Sequence, residues 1–577
     1  MAKIVINEQE IEADTNETIL DVAFRIGLEI PHFCYEEKVS RPAGCRMCVV
    51  EVDGARSLLP SCVTKVKDGM IIKTHSKRVL DSRKMTLQLL MANHPSCLQC
   101  SRNGNCKLQK YCEELMIDEQ IFKPNRDMKK DSNTVMTRDN RLCILCGQCV
   151  RYCDEIQSVH AIDFMKRGVN TYIGCAMDMP IDESVCVGCG QCVLHCPTGA
   201  LEERYEIEPV VNLLNQSIED TDKYHLVAQI APSVRVTAGE LFGYEPGTII
   251  TGKLVSALKK MGFDAVHDTN FSADLTIVEE ANELIERIKN KGTLPMFTSC
   301  CPGWVNFFER FYPEMEDHLS SCKSPQQMHG AITKTYYAEK IGVDSKNIKM
   351  ISIMPCTAKK FEKTRKEMSD NPFPDVDQVL TTREFGKLCK HLAIDVKDLD
   401  DSEFDPSLGE SSGAAALFGN TGGVMEAALR TAYEKATGKR LEKVEFDQVR
   451  GYKWIKEGSI DINGTEIRFA VAHGLANARK LVEEVKAGKS KYHFIEIMAC
   501  PGGCIGGGGQ PRPTSVKVIN QRLEGLYKLD SMKTIRRSYE NPSIIKLYEE
   551  YLGEPGSDKS HNLLHTKYIK RDIWKIN

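Results

Sequence analysis

Apolar and polar positions alternate along this chain in patterns that change from region to region. Near the amino terminus, IVINEQEIEAD (4–14) has the two-residue period of a strand pair, and ETILDVAFRIGL (17–28) has apolar residues at helical spacing. SKRVLDSRKMTLQLLMAN (76–93) predicts a second helix. Beyond residue 211, short apolar runs such as HLVAQIA, KMISIMPC and FIEIMAC predict buried strands separated by helices, which is typical of an α/β domain.

Cysteine density divides the 577 residues into five regions, and a chain of this length is too long to fold around one core. No long linker or low-complexity segment separates the regions, so we expect them to pack together. The predicted units are a β-rich unit over 1–80, a short cysteine-bearing unit over 81–125, a unit with an internal repeat over 126–210, an α/β domain over 211–520, and a polar, helical segment over 521–577 that covers the α/β domain.

The 24 cysteines are the most unusual feature of the composition. A secreted disulfide framework is the first alternative, but such frameworks occur in short chains with a signal peptide, and the start MAKIVINEQEIEAD has no basic or apolar block of that kind. Most of the cysteines are grouped at the spacing of metal ligands. No run of eighteen apolar residues is present and the formal charge is −4, so we expect a cytoplasmic protein that binds neither membranes nor nucleic acid.

The strongest signal is the pattern C-x-x-C-x-x-C-x-x-x-C, which occurs twice. Three thiolates at this spacing hold three corners of a [4Fe–4S] cubane, and the fourth cysteine of each run ligates the other cluster. The predicted ligands are Cys143, Cys146, Cys149 and Cys196 for one cluster, and Cys153, Cys186, Cys189 and Cys192 for the second. Zinc is the alternative metal, but it prefers separated pairs of ligands.

Two further groups of ligands precede this repeat. A plant-type [2Fe–2S] site, with zinc as the alternative, is predicted at Cys34, Cys45, Cys48 and Cys62, although the ten residues between the first two exceed the usual gap. A [4Fe–4S] cluster bound by one imidazole and three thiolates is predicted at His94, Cys97, Cys100 and Cys106. These regions predict an electron relay of four clusters, which would also suit the iron–sulfur subunit of a respiratory or formate-oxidising complex.

The α/β region carries three cysteine motifs, each directly after a predicted strand: TSCCPGWV (298–305), IMPCTAKK (353–360) and EIMACPGGCIGGGGQP (496–511). We expect their cysteines to meet at one edge of a sheet, where α/β proteins bind ligands. Four of these thiolates are enough for a further buried cubane: Cys301, Cys356, Cys500 and Cys504. Cys300, next to one of them, would supply a free thiol that can exchange protons.

In these three motifs, and in the order of the cysteine groups before them, the whole chain resembles the [FeFe]-hydrogenases. The resemblance implies a two-lobed α/β catalytic domain with the H-cluster at the lobe interface. It implies α+β ferredoxin-like iron–sulfur domains before it and a small-subunit-like segment after it. The four thiolates would hold the cubane of the H-cluster, and Cys504 would bridge it to a two-iron subsite bearing CO, cyanide and an azadithiolate.

The resemblance also assigns roles to other side chains. Glu280, Glu283 and Ser320 correspond to groups that carry protons between the surface and Cys300, and Arg287 shares a helix face with the two glutamates. We expect Glu283 to be partly buried, because a proton carrier needs a pKa near the working pH. Lys359 would place a cation near the cyanide-bearing iron, and the other pocket residues by motif position are Met354, Met498, Ser233, Gln326 and Phe418.

The resulting hypothesis is a monomeric ferredoxin hydrogenase that reversibly reduces protons to H₂. Its electrons would come from reduced ferredoxin or flavodoxin, and basic residues near Cys34–Cys62 would guide the binding of this acidic partner. Maturation proteins would supply the two-iron subsite. The alternatives are a subunit of an NAD(P)-linked bifurcating assembly, a hydrogen sensor or cluster-assembly relative, and the iron–sulfur subunit of a larger dehydrogenase. The intact Cys300 and H-cluster thiolates argue against the second, and the absence of a molybdopterin-type half argues against the third.

Overall fold

The structure, a computed structural model, describes residues 1–92, 94–95, 97–122, 130–219, 224–368 and 372–573. Within these residues the strands form five sheets. No described helix is both long and apolar enough to cross a membrane. All 24 cysteines lie in the described part of the chain, and each of them is free of disulfide bonding.

The amino-terminal unit is a five-stranded sheet covered by one helix. Its elements are β1 (Ala2–Ile6), β2 (Gln9–Ala13), α1 (Ile19–Arg25), β3 (Val49–Val52), β4 (Leu59–Pro60) and β5 (Ile71–Lys73), in the sheet order β2-β1-β5-β3-β4. β1 and β2 form the predicted hairpin, and α1 is the predicted amphipathic helix. Thr18 starts α1 with a capping box, in which its hydroxyl and the Asp21 carboxylate each accept a backbone N–H of the other residue.

The next two units combine short helices with two small sheets. Their elements are α2 (Lys77–Met91), α3 (Lys107–Glu114), β6 (Lys130–Ser132), β7 (Met136–Asp139), α4 (Gln148–Arg151), β8 (Asp163–Met165), β9 (Tyr172–Gly174), α5 (Gln191–His195), β10 (Leu201–Glu203) and α6 (Ile207–Glu219). In each cysteine repeat a glycine with a φ of 70°, Gly147 or Gly190, leads into the short helix that carries the third cysteine. Leu87, Tyr111 and Ile144 share an apolar cluster with the amino-terminal unit, so these units pack together.

The α/β region has two lobes, each built on a four-stranded sheet. The first lobe contains β11 (His225–Ile230), α7 (Val234–Thr237), α8 (Thr251–Met261), β12 (Ala265–Asp268), α9 (Thr269–Lys289), α11 (Pro325–Ile332), α12 (Ala338–Ile341), β14 (Ile348–Met354), α13 (Ala358–Glu362), β15 (Gln378–Thr381) and α14 (Thr382–His391). The second contains β13 (Met296–Phe297), α10 (Pro302–Phe311), α15 (Gly413–Ala416), α16 (Gly423–Thr437), β16 (Ile455–Ile462), β17 (Thr465–His473), α17 (Leu475–Lys486) and β18 (Phe494–Met498).

The three cysteine motifs follow strands of both sheets. The first sheet, β12-β11-β14-β15, is parallel throughout and carries Cys356 directly after β14. The second, β13-β18-β17-β16, is parallel apart from β16 and carries the other two motifs after β13 and β18. The expectation that all the cysteines meet at one sheet edge is therefore wrong: they meet where the carboxyl ends of two sheets face each other. Apolar runs do not specify which sheet a strand joins.

The carboxyl-terminal segment packs across the first lobe and reaches the second. It contains α18 (Val516–Met532), α19 (Pro542–Leu547) and α20 (Asp558–Leu564). Asp530 of α18 forms a buried ion pair with Arg430 of α16, 3.0 Å apart. The predicted domain boundaries at 80/81, 210/211 and 520/521 fall inside α2, α6 and α18. The boundary at 125/126 lies outside the described residues, and all four domain boundaries stay predictions.

Candidate active site and cluster cavities

A cavity of about 710 Å³ lies between the two lobes, at the carboxyl ends of β11, β14 and β18. It gathers every residue that the sequence placed in the catalytic pocket. They are Ser233, Cys300, Cys301, Gln326, Met354, Cys356, Lys359, Phe418, Met498, Cys500 and Cys504. Thr269, the first residue of α9, also lines the cavity.

The four candidate H-cluster thiols line this cavity and lie close enough to act electrostatically on one another. Burial raises the pKa of Cys356 to about 12 and raises that of Cys500 and Cys504 well above the ordinary 9. A thiol that binds a metal loses its proton, and the metal replaces the proton's positive charge. The four buried thiols therefore suit a buried cationic cluster. Gln326 Oε1 is buried and has no hydrogen-bond partner among the described residues, as expected beside a bound group.

Glycines bring the backbone close around the cavity. A Cβ atom added at Gly503, where φ is 91°, would lie 2.6 Å from backbone atoms of Asn420 and Thr421. One added at Gly507 would lie 2.4 Å from the Pro355 carbonyl oxygen. Any side chain at either position would displace the loops that carry the candidate ligands Cys504 and Cys356. The residues present therefore fit the bulky cluster that the motifs imply.

Lys359 is held by groups that sequence reasoning missed. Its Nζ donates to Glu362 Oε2 at 2.9 Å, to Ser324 Oγ at 2.7 Å and to the Cys300 carbonyl oxygen at 3.2 Å. Burial opposes the charge, but the Glu362 carboxylate outweighs it and raises the pKa of Lys359. Glu362 also accepts from Gln326 Nε2 at 3.0 Å. The three-residue spacing of Lys359 and Glu362 on α13 was the available signal.

The predicted proton carriers Glu280, Ser320 and Glu283, together with Arg287, form a row that runs from the cavity towards the surface and is called the glutamate row here. All of them except Ser320 belong to α9. Glu280 is 2% exposed, contacts the Ser320 hydroxyl and acts electrostatically on the Cys300 thiol. Ser320 Oγ donates to Glu283 Oε2 at 3.0 Å. Glu283 Oε1 pairs with Arg287 Nη2 at 2.6 Å, and Arg287 reaches the solvent-exposed carbonyl of Asp317. The Glu283 side chain is 15% exposed, so its partial burial is confirmed.

The pKa values of Glu280 and Cys300 are both raised above their ordinary values. Burial, and then the charge of Glu283, raise the pKa of Glu280 from 4.5 to about 8. Burial, and then the charge of Glu280, raise the pKa of Cys300 well above 9. A carboxyl with a pKa near neutrality can give and take a proton at little cost. The neighbouring thiol Cys322 is also affected: burial and the charges of Glu283, Glu280 and Glu279 raise its pKa.

The eight cysteines of the repeat line two smaller cavities, grouped as the sequence predicted. Cys143, Cys146, Cys149 and Cys196 line a cavity of about 400 Å³. Cys153, Cys186, Cys189 and Cys192 line one of about 410 Å³. The four cysteines of the amino-terminal unit are buried, with Cys34 in contact with Cys45 and Cys48 with Cys62.

His94 has the protonation and orientation of a metal ligand. Burial lowers its pKa to about 4, and its ring interacts with the Leu142 backbone carbonyl. Its Nε2 is buried and has no hydrogen-bond partner in the described part of the chain. A neutral imidazole with one nitrogen bonded to a carbonyl leaves the other nitrogen free to ligate. Of the three cysteines of this group, Cys97 is exposed, while Cys100 and Cys106 are partly buried. Ser96, one of the two residues between His94 and Cys97, lies outside the described residues.

The second repeat cavity adjoins the catalytic cavity. A Cβ atom added at Gly508 would lie 2.7 Å from the Cys189 carbonyl oxygen, and one added at Gly190 would lie 2.2 Å from Thr357 Oγ1. Thr357 Oγ1 also donates to the Gly188 carbonyl oxygen at 2.9 Å. Loops of the relay and of the catalytic domain are therefore in direct backbone contact, which suits electron transfer between them.

The fold and these cavities define an iron–sulfur oxidoreductase with a buried catalytic centre. The family model "Iron only hydrogenase large subunit, C-terminal domain" matches residues 224–508, and "Iron hydrogenase small subunit" matches 516–571. The other matching models are a 2Fe-2S iron-sulfur cluster binding domain at 1–77, the NADH-ubiquinone oxidoreductase-G iron-sulfur binding region at 83–120 and a 4Fe-4S dicluster domain at 142–200.

Similar proteins agree with these matches over the whole chain. The NADP-reducing hydrogenase subunit HndD of Solidesulfovibrio fructosivorans is 46% identical, over 99% of this chain and 99% of that protein. Iron hydrogenase 1 of Clostridium pasteurianum is 42% identical, over 99% of this chain and 100% of that protein. An apo structure of the [FeFe]-hydrogenase HydA1 from Chlamydomonas reinhardtii is 43% identical, with a TM-score of 0.58, covering 63% of this chain and 99% of that one.

The chain belongs to the iron-only, or [FeFe], hydrogenases. It carries [2Fe–2S] and [4Fe–4S] domains ahead of an H-cluster domain, and its substrates are protons and H₂. The family resemblance, the fold class and the hydrogenase function inferred from the sequence are confirmed.

Proposed function

We propose that this hydrogenase reduces protons reversibly with electrons from ferredoxin or flavodoxin, through one [2Fe–2S] and three accessory [4Fe–4S] clusters to the H-cluster. The observation that carries this proposal is the cavity in which four thiols lie beside Cys300 and the glutamate row of α9. The proposed H-cluster ligands are Cys301, Cys356, Cys500 and Cys504, with Cys504 as the bridge to the two-iron subsite.

The accessory ligands are proposed from the cavities and contacts described above. The two cubanes of the repeat take the four cysteines that line each cavity. The [2Fe–2S] cluster takes Cys34, Cys45, Cys48 and Cys62. The remaining [4Fe–4S] cluster takes Cys97, Cys100, Cys106 and Nε2 of His94, because that nitrogen is buried, neutral and available.

Side chains around the catalytic cavity would position the reaction and supply its protons. The H-cluster, when bound, supplies the redox-active irons at which protons and H₂ interconvert. Cys300 would deliver each proton into the cavity and recover it from Glu280. Ser320 would pass protons between Glu280 and Glu283, and Arg287 would hold Glu283 at the partly exposed end of the row. Lys359 would stabilise negative charge on the bound cluster.

Other cavity residues would shape the site. Met354 and Met498 precede candidate ligands and offer soft, adaptable surfaces. Gln326 also lines the cavity. Its Nε2 donates to Glu362, and its Oε1 has no hydrogen-bond partner among the described residues. Ser233 and Phe418 also line the cavity and would restrict access of water.

A partner subunit is the second candidate for electron exchange. Its support is the 46% identity to a protein named as a subunit of an NADP-reducing hydrogenase. Met85, Leu89, Met116 and Ile121, in the unit that holds His94, are 51–79% exposed, which suits contact with another protein. Mixing the purified chain with H₂ and either ferredoxin or NADP⁺ separates the two proposals. Reduction of ferredoxin without any other subunit supports the first, and reduction of NADP⁺ only after adding flavin subunits supports the second.

Three further features belong to this proposal. The two-iron subsite would be inserted by maturation proteins, since no side chain of the chain can supply CO or cyanide. The enzyme would act as a monomer in the cytoplasm. Its described helices include none that could span a membrane.

Infrared spectroscopy of anaerobically purified, maturated protein tests the central proposal. CO and cyanide stretching bands are expected, and they should vanish when Cys504, the proposed bridge, is replaced by alanine. A matched variant at Cys389, a buried thiol outside the described cavities, should keep them. The absence of these bands from active wild-type protein would refute the proposed catalytic centre.

A further inference from the structure

Three side chains with metal-binding donors lie together at the outer end of the glutamate row. One donor atom each of Glu283, Cys322 and His565 lies within 4.8 Å of the other two. Cys322 Sγ is 3.8 Å from Glu283 Oε2, and the backbones of Cys322 and His565 form a β-bridge. Glu283 belongs to α9, Cys322 precedes α11, and His565 follows α20. The cluster is therefore assembled only by the docking of the carboxyl-terminal segment.

A metal on Nδ1 of His565 would replace one serine contact and keep a carboxylate behind the ring, which is the arrangement of ligating histidines. His565 Nε2 lies 3.2 Å from Glu279 Oε2, and His565 Nδ1 lies 2.8 Å from Ser321 Oγ. Glu279 is itself fixed by the hydroxyls of Tyr548 and Ser560. A carboxylate that holds one nitrogen of an imidazole fixes the ring and raises the basicity of the other nitrogen. Glu279 would thus support a metal on His565 without binding it.

Charge and access both favour a cation at this place. Glu279 and Glu283 face the region from α9, Glu280 beside them mostly holds its proton at pH 7, and Arg287 pairs with Glu283 through its other oxygen, Oε1. His565 and Cys322 are nearly fully buried, whereas the Glu283 side chain is 15% exposed and gives the cluster an opening towards solvent. A buried group of carboxylates with one arginine attracts a divalent ion.

We propose that Glu283, Cys322 and His565 form a zinc site whose occupation blocks proton transfer. One sulfur, one nitrogen and one oxygen donor suit zinc, whereas magnesium and calcium take oxygen ligands. Water would complete a tetrahedral site. Binding would release the Cys322 proton to solvent. The blocking effect rests on the proposed function, because zinc on Glu283 Oε2 would replace the 3.0 Å hydrogen bond from Ser320.

Zinc sulfate added to the holoenzyme, followed by gel filtration, tests the site directly. We expect one zinc per chain at unchanged iron content, with a zinc K-edge spectrum of one sulfur and several nitrogen or oxygen ligands. Cys322→Ala and His565→Gln should each lose this zinc. Cys389→Ala, which removes another buried thiol, should keep it. Glu279→Gln should weaken binding by about 10- to 100-fold, the usual effect of losing a carboxylate behind a ligating histidine.

Turnover is measured in the same samples as H₂ oxidation with methyl viologen, which avoids a zinc-chelating reductant. Zinc should inhibit wild type and Cys389→Ala, reversibly on addition of EDTA, and should leave Cys322→Ala and His565→Gln unaffected. A spectrum without sulfur, or equal zinc content in the Cys322→Ala and His565→Gln variants, would overturn the site. If zinc binds with one sulfur ligand but does not inhibit, the proposed inhibition and the proton route through Glu283 are both refuted. The zinc site itself would then still be supported.

Discussion

Replacing Glu280 with glutamine examines the proposed proton path at its most buried carboxyl. Glu280 is 2% exposed, and its pKa is raised from 4.5 to about 8 by burial and by the charge of Glu283. A shift of this size corresponds to about 5 kcal/mol between the protonated and ionised forms, at about 1.4 kcal/mol per pH unit. At pH 7, one unit below the pKa, about nine molecules in ten hold this proton.

The same shift links stability to pH. The folded chain binds the Glu280 proton more tightly than the unfolded chain, so protonation of Glu280 contributes to the free energy of unfolding. This contribution is present in full below about pH 4.5. It is lost as the pH rises to about 8, at about 1.4 kcal/mol per unit. Glutamine cannot ionise, so Glu280→Gln should lack this slope. The stability difference between the variant and wild type should therefore move in the variant's favour by about 2–3 kcal/mol between pH 6 and 8.

The turnover of Glu280→Gln should fall, even though its stability relative to wild type rises with pH. Glutamine keeps the shape of Glu280 but cannot pass a proton, so H₂ production with reduced methyl viologen should fall at least about 100-fold. The CO and cyanide infrared bands should remain. Glu286→Gln, on the exposed side of the same helix, is the matched control and should retain wild-type turnover. Turnover of Glu280→Gln within about threefold of wild type would refute the path, since a positioned acid–base group contributes about 100-fold or more.

Three further outcomes follow from the site. Cys300→Ala should lower turnover at least about 100-fold while the infrared bands persist, and unchanged turnover would remove its role. Lys359→Met should destabilise the chain by about 3–5 kcal/mol in anaerobic thermal unfolding, because Glu362 is left buried without a cation, and Lys359→Met with Glu362→Gln should recover most of the loss. His94→Cys should keep the iron content but lower the potential of one cluster in an EPR redox titration, because a thiolate adds negative charge; an unchanged set of potentials would exclude His94 as a ligand.

Much of the candidate site could be predicted from local sequence. The ligand groups of the two repeat cubanes follow from cysteine spacing, because a cubane requires thiolates at short, fixed separations. The hairpin over β1 and β2, the helix α1 and the buried strands before the cysteine motifs were predicted correctly from periodicity. Helical spacing likewise placed Glu280, Glu283 and Arg287 on one face. The free thiol Cys300 was identified from the motif in which it stands.

Long-range partners could not be predicted in this way. Periodicity indicated that the motifs follow strands, but two sheets rather than one bring the strands together, because pairing depends on contacts far apart in sequence. The Leu142 carbonyl that orients His94 and the Ser324 hydroxyl that holds Lys359 come from other segments. Three of the domain boundaries placed by cysteine density, at 80/81, 210/211 and 520/521, fall within helices that join one unit to the next.

The sequence by itself indicated the candidate iron ligands and predicted the groups of the two repeat cubanes, because ligand spacing and residue chemistry act over a few residues. The tertiary structure decided which charged and metal-binding side chains lie next to one another. The pKa of Glu280 depends on burial and on Glu283, and the cluster of Glu283, Cys322 and His565 exists only because the carboxyl-terminal segment docks beside α9. Burial and electrostatic interaction depend on the whole folded chain, so no local pattern specifies them.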